Sequence, residues 1–420
     1  MVTDTTIKKG LPDETSVKAG YKQTDLGVIP EDWSVIKLGD YVVITSGESP
    51  SKFMMQDEGI PYFKVEQLNN CTKYQEDTPY HIKGRKKVKS GSILFPKRGA
   101  AIFLNKIRLL KQDSYFDTNL MALTVNDELS SEFLFYSINY LGLDKVADTT
   151  SVPQINNKHI TPFILPVPSK KEEQTAIATV LSDTDVLIEH LKRLIAKKKA
   201  IKQGAMQQLL TGKKRLPGFS GEWEVKKLGE VMYLQGGYAF KSQFFIEIGV
   251  SIIRISDVGN DKVDTNNSVC YKPFNIPKDF IAVKGDVLIA MSGATTGKIG
   301  VYQEDKLAYI NQRVGKFVIL NQEKTSLQFV SHIVRSEKFK EKLQKEIAQG
   351  AQPNISGKQI ESIKLSIPQT KSEQTAIATI LSDMDAEIES LEQKRDKYTM
   401  LNQGMMQQLL TGRIRIYANN

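Results

Sequence analysis

One stretch of sequence occurs twice in this chain, 200 residues apart. The first copy, EQTAIATVLSDTDVLIEHLKRLIAKKKAIKQGAMQQLLTG, spans residues 173–212, and the second, EQTAIATILSDMDAEIESLEQKRDKYTMLNQGMMQQLLTG, spans residues 373–412. The copies are identical at 24 of 40 positions. Because a duplicated unit normally folds the same way twice, we predict two halves related by a pseudo-twofold axis, each ending in this segment.

Each copy has the apolar spacing of one long α-helix. Apolar residues recur three and four positions apart, and no proline interrupts either copy. Forty residues give a rod of about 60 Å, whose apolar seam needs a second helix to cover it. We predict that the two copies form an antiparallel coiled coil, with the domains that precede them at opposite ends. The predicted partner and helix interface consists of Ile177, Leu181, Ile188, Leu191, Ile377, Leu381, Met384, Ile388 and Leu391.

Two details of the repeat leave alternatives open. The first copy has a basic middle, including Lys198, Lys199 and Lys202, which is either a solvated face or a nucleic-acid contact. Gly204 and Gly404 sit inside the helical pattern at a cost of about 1 kcal/mol relative to alanine. Their repetition suggests a close helix crossing, although a frayed helix end would explain it too.

The composition is that of an ordinary globular protein. The 420 residues are too many for one core and suit two to four domains. The chain is 40% hydrophobic and 25% charged, which excludes a disordered protein. Its net charge of +9 modestly favours a polyanionic partner.

Metal, disulfide and membrane functions find no support in the sequence. The cysteines are only Cys71 and Cys270, and the histidines His81, His159, His190 and His332 lie far apart without ligand spacing. The N-terminal sequence lacks the apolar core of a signal peptide, and no run of eighteen apolar residues occurs. We therefore expect a cytoplasmic protein with no metal and no membrane contact.

Two globular segments precede the helices, and the predicted fold class is mixed α+β. Trp33 and Trp223 hold the same place in the two halves and are predicted to be core anchors. Short strands separated by turns precede short helices at 132–140 and 325–336. The predicted domains are an N-terminal arm (1–20), a first globular domain (21–168), a long helix (169–212), a second globular domain (213–368), a second long helix (369–412) and a tail (413–420).

No catalytic residue is identified. The GATTGK segment at 293–298 resembles a phosphate-binding loop, but its glycines are too close together and Ile299 stands where a hydroxyl residue is required. We predict a strand-to-turn loop there instead. Motifs for methyl transfer, nucleophilic catalysis and metal-dependent hydrolysis are absent from the sequence, so the chain alone is predicted not to be an enzyme.

Basic and polar residues at predicted loops are the candidates for contacting DNA. Arg and Lys can bind guanine edges, Asn and Gln can pair with adenine, and Lys, Ser and Thr can hold phosphates. The candidates are Lys83, Arg85, Lys86, Lys97, Arg98 and Lys106 in the first half, and Arg254, Ser292, Thr295, Thr296, Lys298, Asn311, Gln312 and Arg313 in the second.

These motifs together resemble the specificity subunit of a type I restriction-modification system. The motifs that carry the resemblance are EQTAIATVLSDTD with QQLLTGKKRLPGFSGEWEVKKLGE, EQTAIATILSDMD with QQLLTG, and DVLIAMSGATTGKIG with INQ. They extend over about residues 21–412. The first domain departs from the pattern, with KRGAAIFLNK at 97–106 where the second has MSGATTGKIG, so the resemblance says less about its base contacts.

The resemblance implies a non-catalytic subunit that reads a bipartite target in double-stranded DNA. Each recognition domain would read one half-site, and the helical rod would set the gap and dock two methylation subunits. Restriction subunits would join in the larger complex. S-adenosylmethionine, ATP and magnesium would belong to those partners, with no cofactor bound by this chain. The competing interpretations are a scaffold whose domains bind protein, and a fused restriction-type enzyme.

Overall fold

The computed structural model describes residues 18–84, 88–348 and 353–416. The chain divides into two compact units, unit 1 with residues 1–192 and 394–420, and unit 2 with residues 193–393. The division falls within both repeated segments, so each of them contributes residues to both units. The mixed α+β fold class predicted from the sequence is confirmed.

Unit 1 takes most of its elements from the first half of the chain. They are β1 Tyr21–Thr24, β2 Gly27–Pro30, β3 Trp33–Lys37, β4 Val42–Ser46, β5 Met55–Gln56, β6 Ile60–Phe63, β7 Tyr74–Gln75, β8 His81–Ile82, β9 Ile93–Pro96, β10 Arg108–Leu110, β11 Tyr115–Phe116, β12 Leu120–Val125, α1 Ser131–Leu141, α2 Asn157–Ile160, β13 Ile164–Pro168 and the first part of α3 Lys171–Leu209.

Unit 2 has a similar order without the hairpin β1-β2 and with one added helix, α5 Glu337–Ala348. Its elements are β14 Glu224–Lys227, β15 Met232–Gly236, β16 Val250–Ile253, β17 Asp261–Lys262, β18 Cys270–Tyr271, β19 Ile281–Ala282, β20 Val287–Ala290, β21 Ile299–Val301, β22 Ala308–Ile310, β23 Val314–Ile319, α4 Leu327–Arg335, α5 Glu337–Ala348, α6 Gly357–Ser362, β24 Lys364–Ile367 and the first part of α7 Lys371–Leu409.

The larger sheets of the two units share one topology, and the smaller sheets share a parallel pair of strands. The larger sheet has the strand order β4-β12-β9-β10-β7 in unit 1 and β15-β23-β20-β21-β17 in unit 2. Next to it, a smaller sheet pairs β6 in parallel with β11, and β16 in parallel with β22. A two-stranded ribbon, β13-β3 or β14-β24, leads the chain into each long helix.

The tryptophans anchor the cores as predicted. Trp33 is fully buried and packs edge to face on Phe133 of α1, with ring centroids 6.5 Å apart. Trp223 meets Phe329 of α4 in the same way at 6.3 Å. Such aromatic pairs add about 0.5–1.5 kcal/mol to the apolar burial itself, so each short helix is fixed on its sheet.

Within each unit, segments of α3 and α7 lie antiparallel. In unit 1, Ile177 shares a core with Leu409, and the Asn402 side chain donates to Asp185 at 2.7 Å. Because the partner residue number falls as the α3 number rises, these two segments run in opposite directions. The seam residues Ile177, Leu181, Ile188, Leu191, Ile377, Leu381 and Ile388 are buried, whereas Met384 and Leu391 are half-buried.

The lysines in the middle of α3 pair with acidic residues of α7 in unit 2. Lys198 lies 2.6 Å from Glu387, and Lys199 lies 2.7 Å from Glu392. The interpretation of these lysines as a solvated face therefore missed their partners, because pairing across two helices cannot be seen from one helix alone.

The expected close helix crossing at the repeated glycines is wrong. A Cβ atom added to Gly204 or to Gly404 would meet no other atom within 4 Å. Both glycines are exposed. Packing within the described residues therefore does not explain why a helix-weakening residue stands at this position twice.

In unit 1, polar contacts tie the recognition domain to α3. The Tyr136 hydroxyl donates to Asp185 at 2.8 Å. The ammonium group of the buried Lys73 donates to Ser182 at 2.8 Å and to Glu132 at 3.2 Å. A buried lysine is tolerated here because hydrogen bonds and a carboxylate compensate its charge.

In unit 2, His332 stands where unit 1 has Tyr136. Its Nε2 atom forms a hydrogen bond with Ser382 of α7 at 3.0 Å, and Arg335 lies 3.9 Å from Asp385. Burial, with the neighbouring cations Arg335 and Lys202, lowers the pKa of His332 to about 4, although Asp385 opposes the shift. His332 is therefore a neutral hydrogen-bonding group at neutral pH.

Segments that follow the long helices complete the units. In unit 2, Arg215 donates to both carboxylate oxygens of Glu373 at 2.7 and 2.9 Å. In unit 1, Arg415 donates in the same way to Glu173 at 2.5 and 2.7 Å, and also to Asp32 at 2.8 Å. Arg415, which lies in the predicted C-terminal tail, is thus part of the packing of unit 1.

Among the described residues, the helices are not long and apolar enough to cross a membrane.

Candidate nucleic-acid interface

Four loops of unit 2 meet at one edge of its sheets. They follow β15, β16, β20 and β22 and comprise residues 237–238, 254–257, 291–298 and 311–313. The Asn311 N–H donates to the carbonyl of Ile253 at 3.0 Å, and the Met291 N–H donates to the carbonyl of Arg313 at 3.0 Å. This edge brings together the residues predicted in the second half to contact DNA, namely Arg254, Ser292, Thr295, Thr296, Lys298, Asn311, Gln312 and Arg313.

Two of these candidates hold the loop at 291–298 in shape. The Thr295 hydroxyl donates to the carbonyl of Ile255 at 2.7 Å. The Thr296 hydroxyl lies 2.6 Å from the carbonyl oxygen of Gly293 and 2.5 Å from that of Pro353. The segment is a loop between β20 and β21, as predicted. Its threonines connect neighbouring loops, and this leaves their hydroxyls less available to an external ligand.

Two polar atoms at the same edge have no hydrogen-bond partner within the described residues. They are the buried Nε of Arg254 and the buried Oγ of Ser292. The Arg254 guanidinium lies 3.7 Å from Asp257, so its charge is paired while its Nε–H is unsatisfied. An unsatisfied buried donor costs about 1–3 kcal/mol. Native structures keep such groups mainly where a ligand, water or function accounts for them.

Unit 1 has a matching edge built from the loops after β4, β6, β9 and β11. The Asp117 N–H donates to the carbonyl of Phe63 at 2.9 Å, and the Lys97 N–H donates to the carbonyl of Asn119 at 2.8 Å. These bonds correspond to the two described for unit 2. The predicted residues Lys97, Arg98 and Lys106 lie on the loop that follows β9.

The cations of this loop differ in exposure. Arg98 is exposed, whereas Lys97 and Lys106 are half-buried. The ammonium of Lys97 donates to the Ser46 hydroxyl at 3.1 Å. Burial lowers the pKa of Lys97, and the carboxylate of Asp117 opposes that shift. Partial desolvation strengthens the field that these cations present to an anion.

A glycine allows the close approach of two loops in each unit. A Cβ atom at Gly47 would lie 1.8 Å from the carbonyl oxygen of Asp117, and one at Gly237 would lie 2.2 Å from that of Asn311. Only glycine avoids these overlaps. Neither glycine was predicted from the sequence to be part of the site, although each follows the first strand of the larger sheet in its unit.

The structure separates Lys83 from the loop edge. Lys83 follows β8, and Ile82 of β8 pairs with Ile60 at the start of β6, whereas the loop edge lies at the end of β6. Arg85 and Lys86, its neighbours among the predicted contact residues, lie outside the described residues. Lys83 is therefore not part of the arrangement that unites Lys97 and Arg98.

The turn at 117–119 and Gln154, which forms a β-bridge with Arg98, also lie at the loop edge of unit 1 and were not predicted from the sequence. The turn is the counterpart of residues 311–313, since the two connect β11 to β12 and β22 to β23. A signal was present, because FDTNL and INQRV both lead into the long strand of the larger sheet.

Comparisons with a family model and with known proteins all point to the same protein family. The family model for the type I restriction modification DNA specificity domain matches residues 30–200 and again residues 220–398. The chain is 30% identical over 414 residues to the type I restriction enzyme MjaVIII specificity subunit of Methanocaldococcus jannaschii, covering 92% of this chain and 94% of that protein. The putative MjaX specificity subunit of the same organism is 26% identical over 427 residues, covering 94% and 97%.

Two solved structures share the fold. The S subunit of a type I restriction-modification system from M. genitalium aligns with a TM-score of 0.63 at 17% identity, covering 90% of this chain and 96% of that chain. A second chain, from work on complex assembly and conformational transition of the type I R-M system, aligns with a TM-score of 0.54 at 17% identity, covering 92% and 99%.

The two family matches fall one on each half of the chain, in agreement with the internal repeat and the two similar units. The chain belongs to the family of type I restriction-modification DNA specificity subunits, the non-catalytic components that recognise the DNA target.

Proposed function

We propose that each unit reads one half of a split target in double-stranded DNA through its loop edge. The observation that supports this most is the convergence of basic and polar side chains from four loops on one edge of the sheets in unit 2, where Arg254 Nε and Ser292 Oγ also have no hydrogen-bond partner within the described residues. Phosphate contacts would supply affinity and register, and exposed loop side chains would discriminate bases by about 1–3 kcal/mol for each good bidentate pair.

The long helices are proposed to set the gap between the half-sites. Each is an uninterrupted helix of 39 residues and therefore about 58 Å long. One face of B-DNA recurs about every 34 Å. A stiff spacer of this length is compatible with two readers on successive turns of one DNA face.

The repeated glycines are proposed to mark docking sites for two methylation subunits. Gly204 and Gly404 are exposed and have open space beside them. Three residues earlier, Ile201 and Leu401 are each 48% exposed. A residue without a Cβ atom lets the backbone of a partner approach closely, and the apolar side chain beside it offers surface that the contact can bury. This feature occurs once in each repeat, and the number matches the two methylation subunits that the family resemblance implies.

The proposal extends to the larger complex. Restriction subunits would join this chain and its methylation subunits, and S-adenosylmethionine, ATP and magnesium would be bound by those partners. The complex would act in the cytoplasm, where its DNA target is.

A salt titration tests the proposed function. The complex of this chain with its methylation subunit is mixed with duplex DNA, and the Kd is measured between about 50 and 200 mM salt. Six or more phosphate contacts predict a loss of roughly 1,000-fold in affinity over this range. The scaffold interpretation predicts no such salt dependence.

Charge variants locate the contact surface. Arg98→Ala and Lys298→Ala, on the loop edges of unit 1 and unit 2, are each expected to reduce the salt slope by about 0.9 through loss of a phosphate contact. Lys226→Ala, on β14 and outside the loops, removes the same charge as a matched control. Equal effects of all three substitutions would contradict the proposed location.

A further inference from the structure

The matched loop edges provide a residue-by-residue alignment of the two readers that sequence similarity does not. The Met291 N–H donates to the Arg313 carbonyl at 3.0 Å, and the Lys97 N–H donates to the Asn119 carbonyl at 2.8 Å. Asn119 therefore occupies the place of Arg313, and Thr118, one residue earlier, occupies the place of Gln312.

A third position is fixed in the same way. The Ile355 N–H donates to the Met291 carbonyl at 2.9 Å, and the Ile155 N–H donates to the Lys97 carbonyl at 2.9 Å. The residues just before these form isolated antiparallel bridges, Asn354 with Ser292 and Gln154 with Arg98. Gln154 and Asn354 are thus also counterparts.

Most of the side chains at these positions are available to a ligand, whereas the half-buried Asn119 side chain forms a hydrogen bond with the carboxylate of Asp117. Within the described residues, the side chains of Thr118, Gln154, Gln312 and Asn354 make no hydrogen bond. Thr118, Gln312 and Asn354 are exposed, and Gln154 is half-buried. They contrast with Thr295 and Thr296, whose hydroxyls are bound by backbone carbonyls.

We propose that Thr118, Asn119 and Gln154 are the base-reading positions of unit 1, and that Gln312, Arg313 and Asn354 are those of unit 2. Their chemistry suits base edges, because Asn and Gln can pair with adenine, Arg binds guanine, and Thr can contact the thymine methyl group. This inference rests on the proposed function and deepens it, since it assigns base specificity to three matched positions in each unit, of which only Gln312 and Arg313 were predicted from the sequence to contact DNA.

A transplant tests this assignment. In the complex with the methylation subunit, Thr118→Gln, Asn119→Arg and Gln154→Asn are combined, which gives unit 1 the side chains of unit 2. The complex methylates a DNA library with both half-sites randomised, and the methylated molecules are sequenced. The first half-site is expected to move towards the bases preferred by unit 2, with the second half-site unchanged. An unchanged first half-site would overturn the proposal.

Single substitutions cover the case in which the triple variant does not fold. Thr118→Ala and Gln154→Ala should each relax discrimination at different positions of the first half-site, by roughly 5- to 150-fold. Lys83→Ala, away from the loop edge, is the matched comparison and should leave base preference unaltered. If Thr118→Ala or Gln154→Ala lowers methylation equally for every sequence, the assignment is wrong.

The wild-type complex distinguishes a failure of the proposed function from a failure of the assigned reading positions. If it shows no sequence preference in the same library, the proposed function fails. If it selects a split site and only the substitutions are without effect on base preference, the assignment of reading positions fails while the proposed function stands.

Discussion

Replacing Arg415 by methionine is expected to destabilise unit 1. Arg415 binds both carboxylate oxygens of Glu173 at 2.5 and 2.7 Å, and also contacts Asp32 at 2.8 Å. The side chain of Glu173 is only 7% exposed. Methionine has a similar length but no charge, so the substitution leaves a buried carboxylate without its main compensating cation.

The size of the effect follows from these exposures. Removing one partner of a buried ion pair costs about 3–5 kcal/mol. The Asp32 side chain is 56% exposed, so its pair adds less than about 1 kcal/mol because water screens it. In a unit of this size, a loss of about 3 kcal/mol lowers Tm by roughly 6–12 °C.

The two tryptophans allow each unit to be followed separately. In a Trp223→Phe background the fluorescence comes from Trp33 in unit 1, and in a Trp33→Phe background it comes from Trp223 in unit 2. Arg415→Met should lower the midpoint of the Trp33 transition more than that of the Trp223 transition. Arg215→Met, the matched variant, should do the reverse. An Arg415→Met protein whose Trp33 midpoint is unchanged, or whose two signals shift equally, would refute the reasoning.

Two further predictions concern the helices. The folded-state pKa of His332 is about 4 against an ordinary 6.5, so between these values the unfolded chain binds the extra proton. The free energy of unfolding should therefore fall by up to about 3 kcal/mol as pH drops from about 6.5 to 4. The His332→Gln variant should lack this pH-dependent loss in denaturation measurements. Gly204→Ala and Gly404→Ala should each raise the unfolding free energy by about 0.4–1 kcal/mol, because the new methyl group enters open space in a helix. The same substitutions should weaken binding of the methylation subunit, and unchanged affinity in a pull-down titration would count against the proposed docking sites.

Features encoded by local periodicity could be predicted from the sequence. The long helices were expected at 173–212 and 373–412 and are found at Lys171–Leu209 and Lys371–Leu409. The apolar spacing specifies the helix, and a glycine with positive φ, Gly212 or Gly412, follows its end. The buried tryptophan was predictable for a similar reason, since a large aromatic residue before a short strand usually packs in the core.

Helix α5 was missed because its sequence is dominated by charged residues. Its apolar face consists mainly of Phe339 and Leu343, which are fully buried in the core of unit 2. Phe339, Leu343 and Ile347 recur four residues apart, but seven of the twelve residues are charged, so the apolar stripe is narrow and easily taken for a polar loop. Tertiary packing of that narrow face stabilises the helix.

Gln312 and Arg313 were among the contact residues predicted from the sequence. The other reading positions, Thr118, Asn119, Gln154 and Asn354, could not be found from sequence because long-range backbone hydrogen bonds define them. Lys97 is brought to Asn119, and Phe63 to Asp117, by strand pairing between segments far apart in the chain. Lys83 was predicted to contact DNA because its segment is rich in basic residues. Composition, however, carries no information about the edge of the sheet to which a loop belongs.

The most direct test of the account is to lengthen both long helices and map the DNA that becomes methylated. Four residues inserted at matched positions of α3 and α7 add about 6 Å, which corresponds to one or two base-pair steps of about 3.4 Å. Methylation mapping in cells that express the variant with its methylation subunit should show a longer gap between unchanged half-sites. New half-site sequences with an unaltered gap would contradict the claim that the units recognise the half-sites and the helices set the distance between them.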